Sequence, residues 1–447
     1  MHTLTGNREQ VLNLMSNTIQ QLQTDEQASA AAVGGDTDVL STLNIGLMEE
    51  QANAQTAAAA SIDFADHQNE DWYVPRNRAV AVFQAMMDEY LEEKDAPQAP
   101  AKTPTARAAS VGAGELTHAE IAANVFYGGA APGTDGAGTR AAALIEQFSN
   151  LDPGWASWVL VKAEGWLMGK HPFTSHTSAS DFRFDMQDEV TIAVVGDWGG
   201  GNEAAQAVAV QINQINPDHI IHLGDVYYAG TPKETKDRFL KYWPTPKGPG
   251  RSFALNSNHE MYGGGYGYFD VTLPAFKQPA SYFSLSNDNW RLIGLDTGYD
   301  EHELHDPQAE WLGAQLVDDG KRNIIFSHHQ LFSAYETEDC TKLQSKVQPF
   351  LDAGKIYGWI WGHEHLCVTY QPYMGIKGVC LGNGCFPYNP PTMPARVPIE
   401  WLNDRAQPND LDFRGIHTFA LLKITPDQID IQYIDQDGFV GHQQTWN

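Results

Sequence analysis

From Glu189 onward, short apolar runs rich in β-branched residues alternate with stretches of helical spacing. The runs are Val190–Val195, Ile220–Leu223, Ser252–Leu255, Tyr282–Leu285, Arg291–Leu295, Asn323–Phe326 and Tyr357–Trp361, with a helix expected after Asn202. Runs this short and this apolar predict buried strands, and their alternation with helices predicts an α/β fold. The tail adds a closing strand pair, Thr418–Ile424 and Gln428–Ile434, turning at Pro426 and Asp427.

The first part of the chain has a different texture. Val11, Leu14, Met15, Ile19 and Leu22 recur at helical spacing, as do Val82, Phe83, Met86, Met87, Tyr90 and Leu91, and Leu40–Ala60 is rich in good helix formers. Residues 1–94 therefore predict a helical region, either a small bundle or a module that docks a protein partner. Pro97, Pro100 and Pro104 mark 95–114 as a Pro/Ala-rich linker. Residues 115–185 are expected to be a helical segment packed on the main domain, with a helix near Arg140–Asn150 and a buried aromatic face at Trp155, Trp158 and Trp166. The α/β domain is assigned to 186–447.

Composition narrows the partners. The chain of 447 residues has 28 Lys and Arg against 56 Asp and Glu, a formal charge of −28. That balance argues against nonspecific nucleic-acid binding and adhesion to anionic membranes. No apolar run is long enough for a membrane helix and the start has no apolar signal core, so a soluble, cytoplasmic protein is expected. Cys340, Cys367, Cys380 and Cys385 form no CxxC pair, which argues against a zinc knuckle and favours free thiols over a Cys380–Cys385 disulfide.

The chemistry lies where the apolar runs stop. Gly196-Asp197-Trp198-Gly199, Gly224-Asp225-Val226-Tyr227-Tyr228, Asn258-His259-Glu260, Ser327-His328-His329 and Gly362-His363-Glu364-His365 each follow such a run. Ligand sites in α/β sheets gather at strand carboxyl ends. A single Gly-Asp after a strand reads as a turn, but the ordered set reads as a two-metal hydrolytic site. Asp225 is the candidate bridging carboxylate, and Tyr228 offers a phenolate oxygen suited to a hard trivalent ion. Asn258 offers a carbonyl oxygen, while His328, His363 and His365 offer imidazoles. An extended backbone would aim both His363 and His365 at one site and turn Glu364 away. Asn202 either caps the following helix or faces an anion at its amino terminus. His219, His222 and Trp198 read as packing residues, and Glu260 and Asp296 as groups that orient ligands.

These motifs resemble the calcineurin-like metallophosphoesterase superfamily, and within it the purple acid phosphatase-like branch. The usual Asp-x-His of the first motif is replaced here by Asp197-Trp198-Gly199, and the tyrosine of GDxxY, Tyr228, supplies the missing ligand in that branch. The resemblance spans about residues 186–447 and implies a four-layer sandwich of two mixed β-sheets flanked by helices. It implies Fe(III) held by Asp197, Asp225, Tyr228 and His365, and Fe(II), Zn or Mn held by Asp225, Asn258, His328 and His363. A metal-bound hydroxide would attack phosphorus in line, most simply on a small phosphomonoester. A phosphodiester or phosphoprotein substrate, or a scaffold with a residual site, are the alternatives. His259 is implied as general acid or transition-state stabiliser, with His329 beside the phosphate and His302 and His305 as further substrate contacts. Plant-type members carry an aspartate that orients this histidine where Gly230 stands here, which leaves the partner of His259 open.

Overall fold

In the computed structural model, residues 169–386, 388, 390–391, 394–406 and 415–447 are described, together with 42–52, 73–95 and positions 11–13, 15, 16 and 19. The Pro/Ala-rich linker beyond Asp95, the Arg140–Asn150 helix and the Trp155, Trp158 and Trp166 face lie outside the described residues. Residues 169–447 belong to one compact unit, and 42–51 and 73–95 to a second. In the second unit, residues 42–51 are helical, and the helix Arg78–Asp95 buries Val80, Val82, Phe83, Met86 and Met87. Tyr73 donates its hydroxyl hydrogen to Glu50 at 2.7 Å, tying the two described segments together.

The larger unit is built on two mixed sheets. One has six strands in the order β14-β13-β12-β2-β3-β4, where β2 is Val190–Val195, β3 His219–His222, β4 Ser252–Ala254, β12 Thr418–Ile424, β13 Ile429–Asp435 and β14 Val440–Trp446. The other has eight, β1-β5-β6-β7-β8-β10-β9-β11. Its members are Arg183–Asp185, Phe283–Ser286, Trp290–Gly294, Arg322–Ser327, Gly358–Trp361, Lys377–Leu381, Cys367–Tyr370 and Ile399–Leu402, in that spatial order. Strands β2, β3 and β4 run parallel, as do β6, β7, β8 and β10, while the remaining pairings are antiparallel except β1 with β5.

The strand period of two sorts side chains between layers. Ile324, Phe326 and Ile360 face the inner core, where they meet Ile192, Val194, Ile221, Leu223 and Leu422 of the other sheet. Ile325, Trp359 and Trp361, one residue out of step, pack outward with Trp311 and Leu312 of helix Gln308–Gln315 and Leu343, Val347 and Leu351 of helix Thr341–Asp352. Burial on both faces is why these strands read as unbroken apolar runs. The result is the sandwich of two mixed sheets flanked by helices expected from the sequence.

One boundary differs from expectation. Residues 169–182 contain no helix, and Arg183–Asp185 pairs in parallel with Phe283–Ser286 as the edge of the eight-stranded sheet. The helix expected through 185 is therefore absent from 169–185, and the sheet begins before 186. All four cysteines are buried free thiols. No helix among the described residues is long and apolar enough to cross a membrane.

Candidate metal centre

Strands β2, β3 and β4 of one sheet and β7 and β8 of the other deliver Asp197, Asp225, Asn258, His328, His363 and His365 from their carboxyl ends. Asp197, Asp225, His363 and His365 all hold left-handed backbone, with φ of 55°, 77°, 69° and 51°. Such angles cost non-glycine residues of the order of 1–3 kcal/mol each and persist only where packing imposes them. At Gly224 the requirement is also spatial, because φ is 109° and a Cβ would stand 2.8 Å from His328 Nδ1.

The two oxygens of Asp225 face different groups. Its Oδ1 lies 3.2 Å from His328 Nε2, which is itself 3.0 Å from Asn258 Oδ1 and 3.1 Å from His363 Nδ1. Its Oδ2 accepts from the hydroxyl of Tyr227 at 3.0 Å, and that hydroxyl lies 3.3 Å from Asp197 Oδ1 and 3.2 Å from His365 Nε2. Asp225 thus spans two clusters of donor atoms, the geometry of a bridging carboxylate. Asp197, Asp225 and His328 each place one ligand atom within 4.8 Å of the others.

Supporting contacts aim these donors. His328 Nδ1 is 2.9 Å from the Leu223 carbonyl, so the proton sits on Nδ1 and the Nε2 lone pair faces the cluster. Asn258 donates through Nδ2 to the Tyr262 hydroxyl at 2.9 Å, which turns its Oδ1 inward. Ser257 donates to Asp225 Oδ1 at 2.6 Å, and the backbone N–H of His363 donates to Asp197 Oδ2 at 2.9 Å. Phe386 stacks on His365 with ring centroids 3.9 Å apart.

One expectation is corrected, and two further residues find their partners. The tyrosine in the cluster is Tyr227: the neighbouring Tyr228 is also buried, but its ring lies 4.8 Å from the Arg238 guanidinium. Asn202 spends both ends of its amide on structure, accepting from Ala205 N at 2.9 Å and donating to the Cys385 carbonyl at 3.0 Å. It is the helix cap, tied also to the Cys385 main chain. His305 pairs through Nδ1 with Asp300 at 2.6 Å and packs on Phe173 and Tyr299. The rings of His363 and His365 do meet one site, though through left-handed backbone and not the extended strand expected. Glu364 turns away to Trp361 Nε1 and Ser333.

His259 finds its partner in the main chain. Its Nδ1 donates to the Tyr228 carbonyl at 2.6 Å, leaving Nε2 toward the cluster, 3.9 Å from Asp225 Oδ2. Gly230 explains why no aspartate does this work: a Cβ there would lie 2.5 Å from Glu260 Cα, on backbone with φ of 56°. Gly230→Asp is accordingly expected to cost about 2–4 kcal/mol of stability through overpacking and backbone strain, with no gain in turnover. Denaturant midpoints and steady-state kinetics of the variant check this.

Electrostatics follow from burial. The Asp197 carboxyl is pushed well up by burial and by the adjacent Asp225, whereas the imidazoles of His328, His259 and His363 overcome burial at Asp225 and hold it low. Burial, with Asp225 and Asp197 nearby, pushes the Tyr227 phenol well up. Burial raises Glu234 to about 7 and Glu260 and Glu364 to about 8, and lowers His222 and His328 to about 3 and His302 to about 4. The folded, metal-free chain therefore holds extra protons on the glutamates from 4.5 upward and fewer on the histidines below 6.5. Stability should fall as pH rises above 6.5, fall as pH drops below 4.5, and peak between. Melting temperatures of chelator-treated protein across this range test that.

Residues 190–367 match the family described as calcineurin-like phosphoesterase. Among curated proteins, the chain is 23% identical over 285 residues to tartrate-resistant acid phosphatase type 5 of Sus scrofa, covering 55% of this chain and 83% of that protein. The Oryctolagus cuniculus protein of the same name is 23% identical over 287 residues, covering 55% and 86%. Among solved structures, GAP50, the anchor in the inner membrane complex of Plasmodium, aligns with a TM-score of 0.47 at 13% identity, over 58% of this chain and 89% of that one.

Proposed function

Because the chain belongs to the calcineurin-like phosphoesterase superfamily, in its acid phosphatase-like branch, and is a phosphoester hydrolase, we propose that it hydrolyses phosphomonoesters at a two-metal centre. The observation that carries this reading is Asp225, whose two oxygens face two separate donor groups. Asp197, Asp225, Tyr227 and His365 would hold one metal. Asp225, Asn258, His328 and His363 would hold the other.

The donors fit that assignment. Two carboxylates and a phenol present hard oxygens suited to Fe(III), whereas one amide oxygen and two imidazoles suit Fe(II), Zn or Mn. Metal ions bound here supply Lewis acidity that polarises a phosphoryl oxygen and lowers the pKa of water. The chain's own residues do the rest. Asp225, held low by the imidazoles around it, keeps a negative charge in a buried pocket, which favours cations, and Asp197 would add a second carboxylate once a cation displaces its proton. The Leu223 carbonyl fixes the tautomer of His328, and Tyr262 fixes the amide of Asn258. His259, locked by the Tyr228 carbonyl, presents Nε2 to the site and, when protonated there, gives its proton to the departing alkoxide.

The relatives' name, acid phosphatase, supports a monoester over a diester. Metal-loaded protein should turn over 4-nitrophenyl phosphate at least about tenfold faster than bis(4-nitrophenyl) phosphate, a difference of ~1.4 kcal/mol in barrier. The reverse preference would make it a diesterase on the same scaffold.

A further inference from the structure

Beside the Asp225 clusters, His302, His329 and His363 converge so that one nitrogen of each lies within 4.8 Å of the other two. Their ring centroids are 4.1, 4.7 and 5.5 Å apart for the pairs 302/329, 329/363 and 302/363, with interplanar angles of 52°, 52° and 82°. The rings therefore meet by their edges and do not stack face to face.

His329 is fully buried, and its Nδ1 lies 3.1 Å from Thr297 Oγ1, yet its Nε2 has no hydrogen-bond partner. His302 Nδ1 is likewise buried without one. A buried polar atom left unpaired costs about 1–3 kcal/mol, and two on facing rings call for a common cause. Glu338 adds a carboxylate to the same place. Its Oε2 is 2.9 Å from His363 Nε2 and 3.5 Å from His302 Nε2, and it accepts from Gln330 Nε2 at 2.9 Å.

We propose that His302, His329 and His363, with Glu338, form a further cation site distinct from the two clusters bridged by Asp225. Three imidazoles and a carboxylate are the donor set of a tetrahedral zinc-class ion, not of Mg²⁺ or Ca²⁺. With Nδ1 of His329 donating to Thr297 Oγ1, its Nε2 lone pair is directed at the cation, the usual arrangement of an outer hydrogen bond behind a metal-bound imidazole. Donors around such an ion stand ~3.3 Å apart, so the ring nitrogens close by up to about 1.5 Å on binding. His363 is the common wall, with Nδ1 facing His328 and Nε2 facing Glu338. With both sites filled it would bridge them as an imidazolate, its remaining ring proton released to solvent, which couples the occupancy of this site to that of the Asp225 centre.

Zinc content after equilibration and dialysis, combined with anomalous diffraction at the zinc edge, tests the proposal. Wild-type protein should retain about three zinc ions per chain and His302→Ala about two, with an anomalous peak among the three imidazoles of the wild type. Equal zinc content in the two proteins, with no peak among the imidazoles while the Asp225 centre is filled, would overturn it. A peak among the imidazoles with none at Asp225 would instead sustain this site and sink the two-metal reading. The wild-type map decides the question even where the variant folds poorly.

Discussion

Asp225→Asn is expected to remove both metals of the centre and to lower phosphomonoester turnover by at least about 10³-fold, because one change withdraws charge from both sides of the bridge. The amide keeps the shape of the carboxylate but neither its charge nor its second strong acceptor. Oδ1, now 3.2 Å from His328 Nε2, and Oδ2, which accepts from Tyr227, can no longer both attract a cation. Misfolding would give the same loss of activity, so stability separates the causes. The imidazoles around Asp225 hold its carboxyl low, so its charge stabilises the metal-free fold, and the relief of Asp197 offsets only part of the loss when that charge goes. The metal-free variant should therefore melt somewhat below metal-free wild type yet still in one cooperative transition, while its metal content and turnover collapse together. Loss of the cooperative transition would assign the loss of activity to the fold.

Tyr227→Phe is expected to abolish the tyrosinate-to-iron band of the iron-loaded protein, and Tyr228→Phe to leave it intact. The two residues are adjacent and both are buried, but they face different surroundings. The Tyr227 hydroxyl is held among Asp225, Asp197 and His365, whereas the Tyr228 ring lies against Arg238. Without a cation, burial and the two aspartates keep the Tyr227 phenol protonated. Only a strongly charged ion makes its phenolate stable there, so colour should appear on loading with Fe(III) and not with zinc. Visible absorption of the two variants gives the answer. Colour lost in Tyr228→Phe and kept in Tyr227→Phe would restore the assignment made from motif spacing.

That pair of tyrosines shows where a sequence stops being readable. The spacing of GDxxY brings an aromatic ring to the end of β3, but which of two neighbouring tyrosines turns inward is decided by a turn whose torsions leave no mark in residue order. The carboxylates and histidines were legible because each follows an apolar strand, and strand ends converge by topology. Edge elements were hidden for the opposite reason. Arg183–Asp185 is three residues long, and Val440–Trp446 alternates half-buried with exposed positions, so neither presents an apolar run. Glu338 lies in a segment, 332–340, without regular structure, where only the fold brings it to His363 and His302. The role of Asn202 was readable as one of two options, and the bond it accepts from Ala205 N makes it the cap, while its further tie to the carbonyl of Cys385, 183 positions away, was not readable. His259 lacked its expected aspartate because Gly230 leaves no room for one, and a main-chain carbonyl, invisible to any motif, took that place.

The most direct test of the central claim is the turnover of 4-nitrophenyl phosphate by one preparation in three states: as purified, stripped by chelator, and reloaded with Fe(III) and zinc. Activity should vanish on stripping and return on reloading, while Asp225→Asn stays inactive throughout. Equal turnover in the stripped and reloaded states, or none in wild-type protein whose Asp225 centre is filled, would contradict a two-metal phosphoester hydrolase.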